Sequence, residues 1–293
     1  MTLAAAMLFA VNGAVSKVIL SSDVPAPRLT ELRTTCAFVG LGAGLALFAP
    51  HRLRLSRAEL PLLAAYGVIG FALVQWLYFV TIHRLPIGIG LLLEFTAPVL
   101  VALWARFGWR ERVRRRVWAA LALTLVGLAL VAQVWSGLSL DGIGVIAGLA
   151  AAAALAVYYV VGEHGVGRRD PLSLVCYSLL FAALFWAVVQ PWWGFPFGEL
   201  GDATSLHGRL AGTDVSVWAL CIWMIVLGSI VPFSLSIAAL RHLPATTVGI
   251  VATFEPVAAS VVAWVWLQES LDVAQLVGGA VVLAGIVLAE TSR

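Results

Sequence analysis

Charge is scarce in this sequence. Asp, Glu, Lys and Arg make up 11% of its 293 residues, less than half the share of about 25% in an ordinary soluble domain. A soluble globule of this length has polar surface to cover, and the residues to cover it are missing. Lysine is nearly absent: of 18 basic residues only Lys17 is not arginine. The net charge of +3 and the pI near 9.0 do not indicate a nucleic-acid partner, because the arginines come in short bursts between apolar segments rather than along one face. The three cysteines, Cys36, Cys176 and Cys221, lie in apolar stretches with no CxxC or Cys/His cluster. That excludes a disulfide framework and a zinc site and leaves them as small packing residues. The five histidines (51, 83, 164, 207 and 242) form no HExxH motif, and no GxSxG nucleophile turn is evident, so neither protease chemistry is supported. The ten-residue alternation of a β-barrel is also missing. No cofactor or metal is implied.

What remains is apolar: 62% hydrophobic residues and a mean hydropathy of +1.00. A membrane helix needs about 20 mostly apolar residues. Ten runs qualify: 3–20, 28–49, 60–82, 87–107, 116–134, 142–162, 171–190, 216–239, 246–267 and 273–290. The first has no basic lead segment, since Lys17 follows the apolar run, so it reads as an uncleaved span rather than a signal peptide. With the N-terminus in the cytoplasm, the even-numbered loops and the C-terminus carry twelve arginines: Arg52, Arg54, Arg57, Arg110, Arg112, Arg114, Arg115, Arg116, Arg168, Arg169, Arg241 and Arg293. The opposite side carries Arg28, Arg84 and Arg209. The positive-inside rule then predicts both termini in the cytoplasm of a bacterial-type inner membrane. Tryptophans fit this frame: Trp104, Trp109 and Trp118 flank the arginine-rich fourth loop, and Trp135, Trp192, Trp193, Trp218, Trp264 and Trp266 lie near the outer span ends. There an amphipathic ring meets lipid headgroups.

Two segments repeat at one spacing. Leu85-Pro86, Pro98, Glu111 and Gly127 match Leu243-Pro244, Pro256, Glu269 and Gly285, each pair 158 residues apart. Nearer the start of each half the offset is about 146, as for Pro25 and Pro171, and a longer seventh loop, 191–214, accounts for the difference. Each half therefore holds five spans, an odd number, so the halves insert upside down relative to each other. Charge agrees: the arginine-rich loop 108–116 corresponds to loop 268–272, which has Glu269 and Asp272 and no base. The expected fold is an all-α membrane protein of ten transmembrane helices in two inverted-topology five-helix repeats, residues 1–140 and 141–293. Secondary transporters use this plan and place the substrate site near midplane between the repeats.

These residues carry a family resemblance along essentially the whole chain. The five-plus-five plan, Leu-Pro at 85–86 and 243–244, Pro98 and Pro256, and the following Glu111 and Glu269 resemble the drug/metabolite transporter superfamily, in its EamA-domain branch. The Glu94-Phe95 pair before Pro98 and the Glu31-Leu-Arg33 start of the second span are similar to the threonine/homoserine exporter type. The resemblance implies export of small metabolites, often amino acids, without ATP.

An ionisable group at midplane costs about 2.5–3.5 kcal/mol on insertion scales, so it normally faces a cavity or a partner. Glu94 lies in the fourth span and Glu255 in the ninth, just before Pro256. In repeat alignment Glu255 matches Ala97, on the same helix face as Glu94, so the two carboxyls are quasi-equivalent. Lining a central cavity, they would meet a substrate ammonium or exchange protons, which couples transport to a proton gradient; structural carboxyls are the alternative. Pro98 and Pro256 free carbonyls in the preceding turn and predict helix kinks. Asn12, Arg33, Gln75, Tyr78, Tyr158 and Ser234 are the further pathway candidates, with Ser16, Lys17, Tyr159 and Ser236 beside them. Arg33 is expected to pair with Glu31 or Glu94. Interhelical hydrogen bonding is the alternative use of these polar groups. The glycines at 40, 42, 44, 278 and 279 are expected at close helix crossings.

The reading is a secondary active transporter exporting small polar metabolites such as amino acids, proton-coupled, working in the bilayer as a monomer or homodimer. The alternatives are an exchanger or flippase for another small metabolite or a lipid-linked molecule. A phosphosugar exchanger would want a basic cavity, and an intramembrane enzyme is the weakest alternative.

Overall fold

The computed structural model describes residues 1–22, 24–85, 87–110, 113–131, 141–268 and 272–291. Pro86, Glu111, Arg112, Trp135, Glu269 and Arg293 of the sequence reading lie outside them. Helix dominates. The first half contains α1 (Thr2–Leu20), α2 (Ala26–Phe48), α3 (Leu60–Gly67), α4 (Val74–Arg84), α5 (Ile87–Glu94), α6 (Ala97–Phe107) and α7 (Arg115–Val131). The second contains α8 (Gly142–Arg168), α9 (Pro171–Val189), α10 (Val217–Ile225), α11 (Val231–Ala239), α12 (Ala245–Ala252), α13 (Phe254–Leu267) and α14 (Val273–Glu290). Eight stretches are long and apolar enough to cross a membrane: Thr2–Leu20, Pro27–Phe48, Arg57–Thr81, Gly90–Phe107, Gly142–Arg168, Pro171–Val189, Val217–Ala239 and Ala245–Trp266. Among the described residues α7 is shorter, and the apolar part of α14 runs over Val273–Ala289. The outer surface is apolar, with Phe48 88%, Val188 82% and Leu47 77% exposed, which suits lipid and not water.

Local chemistry sets the helix starts. Asp141 accepts from the Gly144 amide ahead of α8, and Asp170 accepts from the Leu172 and Ser173 amides ahead of α9, whose first residue is Pro171. A side-chain oxygen at the N-cap and proline at N1 both satisfy or remove unpaired amides. α8 runs six residues past its expected end at 162, through Gly162, Gly165 and Gly167, to the Asp170-Pro171 stop.

Four irregularities interrupt the helices. A π-helical turn, Val68–Leu73, joins α3 to α4, and another, Val226–Ile230, joins α10 to α11. Phe95 and Thr96 separate α5 from α6, and Thr253 separates α12 from α13. Pro98 and Pro256 sit in the first turn of the helix after each break, where a missing amide costs nothing. At each break a threonine side chain bonds back into the preceding turn: Thr96 Oγ1 donates to Leu93 O at 2.6 Å, and Thr253 Oγ1 to Ile250 O.

Three apolar clusters hold the bundle. One joins α2, α3, α8, α9 and α11 around Leu45, Leu63, Tyr66, Val166, Leu174 and Leu240. A second joins α1, α2 and α10 to the loop after α9 through Val18, Leu32, Phe195, Leu200 and Leu220. That loop contains a hairpin, β1 (Ala203–Ser205) antiparallel to β2 (Asp214–Ser216), which the sequence reading did not anticipate. It is fastened where Trp266 Nε1 donates to Leu206 O at 3.0 Å. The third cluster joins α6, α7, α12 and α14.

Polar ties close the arginine-rich end. Arg169, 10% exposed, pairs with Glu59 at 3.0 Å. It also donates to Arg54 O at 2.7 Å and to Ser173 Oγ at 2.7 Å, and lies 5.0 Å from the Tyr177 ring centre. Tyr177 donates to Leu53 O at 2.6 Å, and Arg52 pairs with Asp170 at 3.4 Å. Losing these charge-assisted bonds is expected to lower the melting temperature of an Arg169→Ala variant by about 2–6 °C. A thermal scan of the purified protein in detergent checks this; an unchanged midpoint would make the network ornamental.

Candidate functional site

A cavity of about 510 Å³ lies between the two halves, lined from α1, α2, α4, α5, α7, α8, α11, α12, α13 and α14. Of the residues singled out from the sequence, Asn12, Arg33, Gln75, Tyr78, Glu94, Tyr158, Glu255 and Pro256 all line it. Elements far apart in sequence converge on it. Glu94 is the last residue of α5 before its break, and Glu255 is the second residue of α13 after its own. π turns inside helices recur at functional sites.

Arg33 is held by the π turn of the eighth apolar segment. Its Nε donates to Ser229 Oγ at 2.6 Å and one terminal nitrogen donates to Gly228 O at 3.3 Å. Its guanidinium carbon lies 5.7 Å from the Phe233 ring centre. Arg33 and Glu255 are close enough for their charges to interact, as are Glu94 and Glu255. The Tyr78 hydroxyl is within electrostatic reach of both carboxyls. The expectation of Glu31 as the partner of Arg33 is thereby corrected. Glu31 is fully buried and pairs with Arg28 at 2.9 Å, because residues three apart share a helix face, and Arg33 is turned away from them toward the cavity.

Asn12 is buried against Gly228, whose missing side chain leaves the room for it. Gly70 lies against the Tyr66 ring and the Tyr158 backbone, where a Cβ would stand 3.2 Å from the ring and 3.4 Å from the Tyr158 Cα. The Tyr158 ring packs with Tyr66, Phe71 and Phe233. The side-chain oxygens of Asn12 and Gln75 are buried without a hydrogen-bond partner, and the Tyr158 hydroxyl lies beside the Ser236 side chain.

One expectation needs correction. Ser234 does not line the cavity; its hydroxyl donates to Ile230 O on its own helix at 2.6 Å. Ser236, two residues on and therefore on the opposite helix face, lines it instead. Pro98, expected as a kink and not as a lining residue, packs where a Cβ on Gly249 would meet its ring at 3.1 Å. The sequence reading gave no role to Ser229 or Phe233, which position Arg33. Their signal was the glycine pair Gly70 and Gly228, spaced by the repeat offset of 158. Among the described residues no group of His, Cys, Asp and Glu is arranged to hold a metal ion.

Comparison with known proteins places this architecture. The model of the EamA-like transporter family matches residues 1–133 and 142–291. The chain is 31% identical over 266 residues to the threonine/homoserine exporter RhtA of Escherichia coli K12, covering 90% of this chain and 81% of that protein. It is 30% identical over 262 residues to a probable terminal-alkyne amino-acid exporter of Streptantibioticus cattleyicolor, covering 89% and 82%. A solved crystal structure shares the fold with a TM-score of 0.75 at 18% identity, over 99% of this chain and 96% of that one. Eight membrane-length apolar helices among the described residues, an apolar exterior and a cavity lined by Glu94, Glu255 and Arg33 thus have one family context: the chain is a multi-pass membrane protein and belongs to the EamA-like transporter family.

Proposed function

We propose that the chain is a secondary active transporter that exports small polar metabolites of the amino-acid type in exchange for protons. The observation that carries this reading is the meeting of Glu94, Glu255 and Arg33 on one cavity between the halves. An α-amino acid presents an ammonium and a carboxylate, and this site presents carboxylates and a guanidinium. Charged groups at such depth persist where they have partners and a task. The relatives named as amino-acid exporters point to the same cargo.

The motion we assign is a rocking of two inverted five-helix repeats, ten spans in all, around the cavity. Two family matches in one chain support the duplication. So do the paired irregularities. The π turns begin at 68 and 226, and the breaks include 95 and 253, each pair at the offset of 158. Asn12 and Tyr158, 146 apart, each lie against a glycine of the other half, Gly228 and Gly70. The arginine distribution puts both termini in the cytoplasm. A C-terminal green fluorescent protein fusion should fluoresce and a C-terminal alkaline phosphatase fusion should stay inactive; the reverse result would invert the topology.

Purified protein in proteoliposomes tests the function. A preloaded amino acid should drive uptake of its labelled form without chemical conversion, and an imposed pH gradient should accelerate it. No flux across a panel of amino acids would discard the cargo class. Flux unaffected by the gradient would discard proton exchange.

A further inference from the structure

The arginine-rich end of the bundle holds a second concavity, of about 360 Å³, which shares no lining residue with the central cavity. Its wall carries Arg52, Arg54, Arg168 and Arg169 against two acids, Glu59 and Asp170. Both acids are already engaged. Glu59 pairs with Arg169 at 3.0 Å, and Asp170 is shared between Arg52 at 3.4 Å and Arg241 at 3.9 Å. Five arginines around two carboxylates leave an excess of three positive charges. Arg54 and Arg168 are exposed and have no ion-pair partner among the described residues.

The backbone around these arginines is tied down. Arg54 O accepts from Arg169, Arg52 O from the Ser173 hydroxyl and Leu53 O from the Tyr177 hydroxyl. The turn after α2 is thus fastened to the α8–α9 junction, and the pocket between them is a formed concavity rather than arms on a loose loop. Its flanks are apolar. Leu47 and Phe48 are exposed at the end of α2, just before the first arginine of the pocket, and Leu55 and Leu62 are exposed after it. The pocket therefore lies where a lipid-facing surface meets water. A guanidinium fork matches phosphate oxygens bidentately, and basic pockets between spans at the cytoplasmic face suit anionic headgroups. We propose that this pocket binds a phosphate-bearing anion, the headgroup of an anionic membrane phospholipid, held between Arg54 and Arg168 with its chains along the Leu47–Phe48 surface.

Thermal unfolding of the full chain in a non-ionic detergent tests this. The probe is short-chain phosphatidylglycerol. Phosphatidylcholine of the same chain length is the zwitterionic control, and glycerol phosphate supplies the phosphate without chains. Saturating phosphatidylglycerol should raise the melting midpoint by about 3 °C or more above phosphatidylcholine, because a ligand of the folded state alone stabilises that state. With Arg54→Gln and Arg168→Gln combined, the shift should fall below about 1 °C. Both side chains are exposed, so the fold should survive their replacement. Arg115→Gln with Arg116→Gln removes two exposed arginines outside the pocket and should keep the shift. Each shift is taken within one variant, so a changed baseline midpoint cancels. A shift from phosphatidylglycerol alone identifies the lipid as the source of the phosphate, and an equal shift from glycerol phosphate identifies the free anion. No shift from either, or an equal shift from phosphatidylcholine, overturns the assignment. So does an undiminished shift without Arg54 and Arg168, or an equal loss in the two double variants.

Discussion

Replacing Glu94 with glutamine should reduce amino-acid efflux by about 10–100-fold, the consequence of losing one charge-assisted hydrogen bond to the cargo. The substitution keeps shape and volume, so the α5 break and its Thr96 bond to Leu93 O should survive. What disappears is an acid that can hold either a proton or the substrate ammonium. The residual flux should lose its dependence on pH, because the exchange of one for the other needs an ionisable group. Glu255→Gln should cut flux similarly and also loosen Arg33, which it faces. The measurement is counterflow normalised to the amount of monodisperse protein recovered. Undiminished, pH-dependent flux in Glu94→Gln would remove this carboxyl from the pathway.

The second large effect is on folding. A Cβ on Gly127 would stand 2.7 Å from Gly278 O, and one on Gly278 would stand 2.7 Å from Gly127 O. A Cβ on Gly285 would meet Ala120 O at 3.0 Å. α7 and α14 thus cross with their backbones nearly touching, the arrangement that small residues permit in membranes. Backbone cannot step aside as a flexible side chain can, so Gly127→Leu must push the helices apart. Overpacking of this kind costs about 1–3 kcal/mol or more and should lower the melting temperature by at least about 5 °C, with poor recovery of folded protein. Gly44 is the control: a Cβ there meets nothing within 4 Å, and Gly44→Ala should leave the midpoint unchanged or raise it slightly. Equal effects from both variants would mean that helix propensity, not the crossing, decides.

The contrast between these glycines marks how far the sequence could be read. Composition and apolar runs were enough to expect an all-helical membrane chain, because a membrane leaves the backbone few choices; eight of the ten runs correspond to helices of membrane length among the described residues. The spacing of Pro98 with Pro256 and of Gly127 with Gly285 is the sequence sign of the internal repeat we propose, because a duplicated fold keeps its irregular positions. The glycines at 40, 42 and 44 looked like a packing stripe and are not a tight one: Gly40 and Gly42 would meet side chains at 3.3 and 3.6 Å, and Gly44 nothing. A helix face is visible in sequence, but what lies opposite it is not. The same limit explains Arg33. Its charge and depth required a partner, and the nearest acids in sequence were the natural guess. Its real anchors, Ser229 and Gly228 O, are about 195 residues away and exist only because a π turn exposes that carbonyl. Ser234 failed for a simpler reason: without a partner to fix the rotation of α11, one serine of a close pair cannot be preferred over the other.

The central claim is that the cargo occupies the cavity bounded by Glu94, Glu255 and Arg33. Ser260 of α13 lines that cavity, and the three native cysteines do not. In a chain with those cysteines replaced by serine, a Ser260→Cys substitution gives one reporter thiol. Its rate of labelling by a membrane-impermeant thiol reagent can be measured with and without a saturating amino acid that the protein transports. Occupancy of the cavity predicts that the cargo slows labelling at least several-fold, with half-protection at the concentration that half-saturates transport. Labelling at an unchanged rate under saturating cargo would contradict the assignment of this cavity as the transport site.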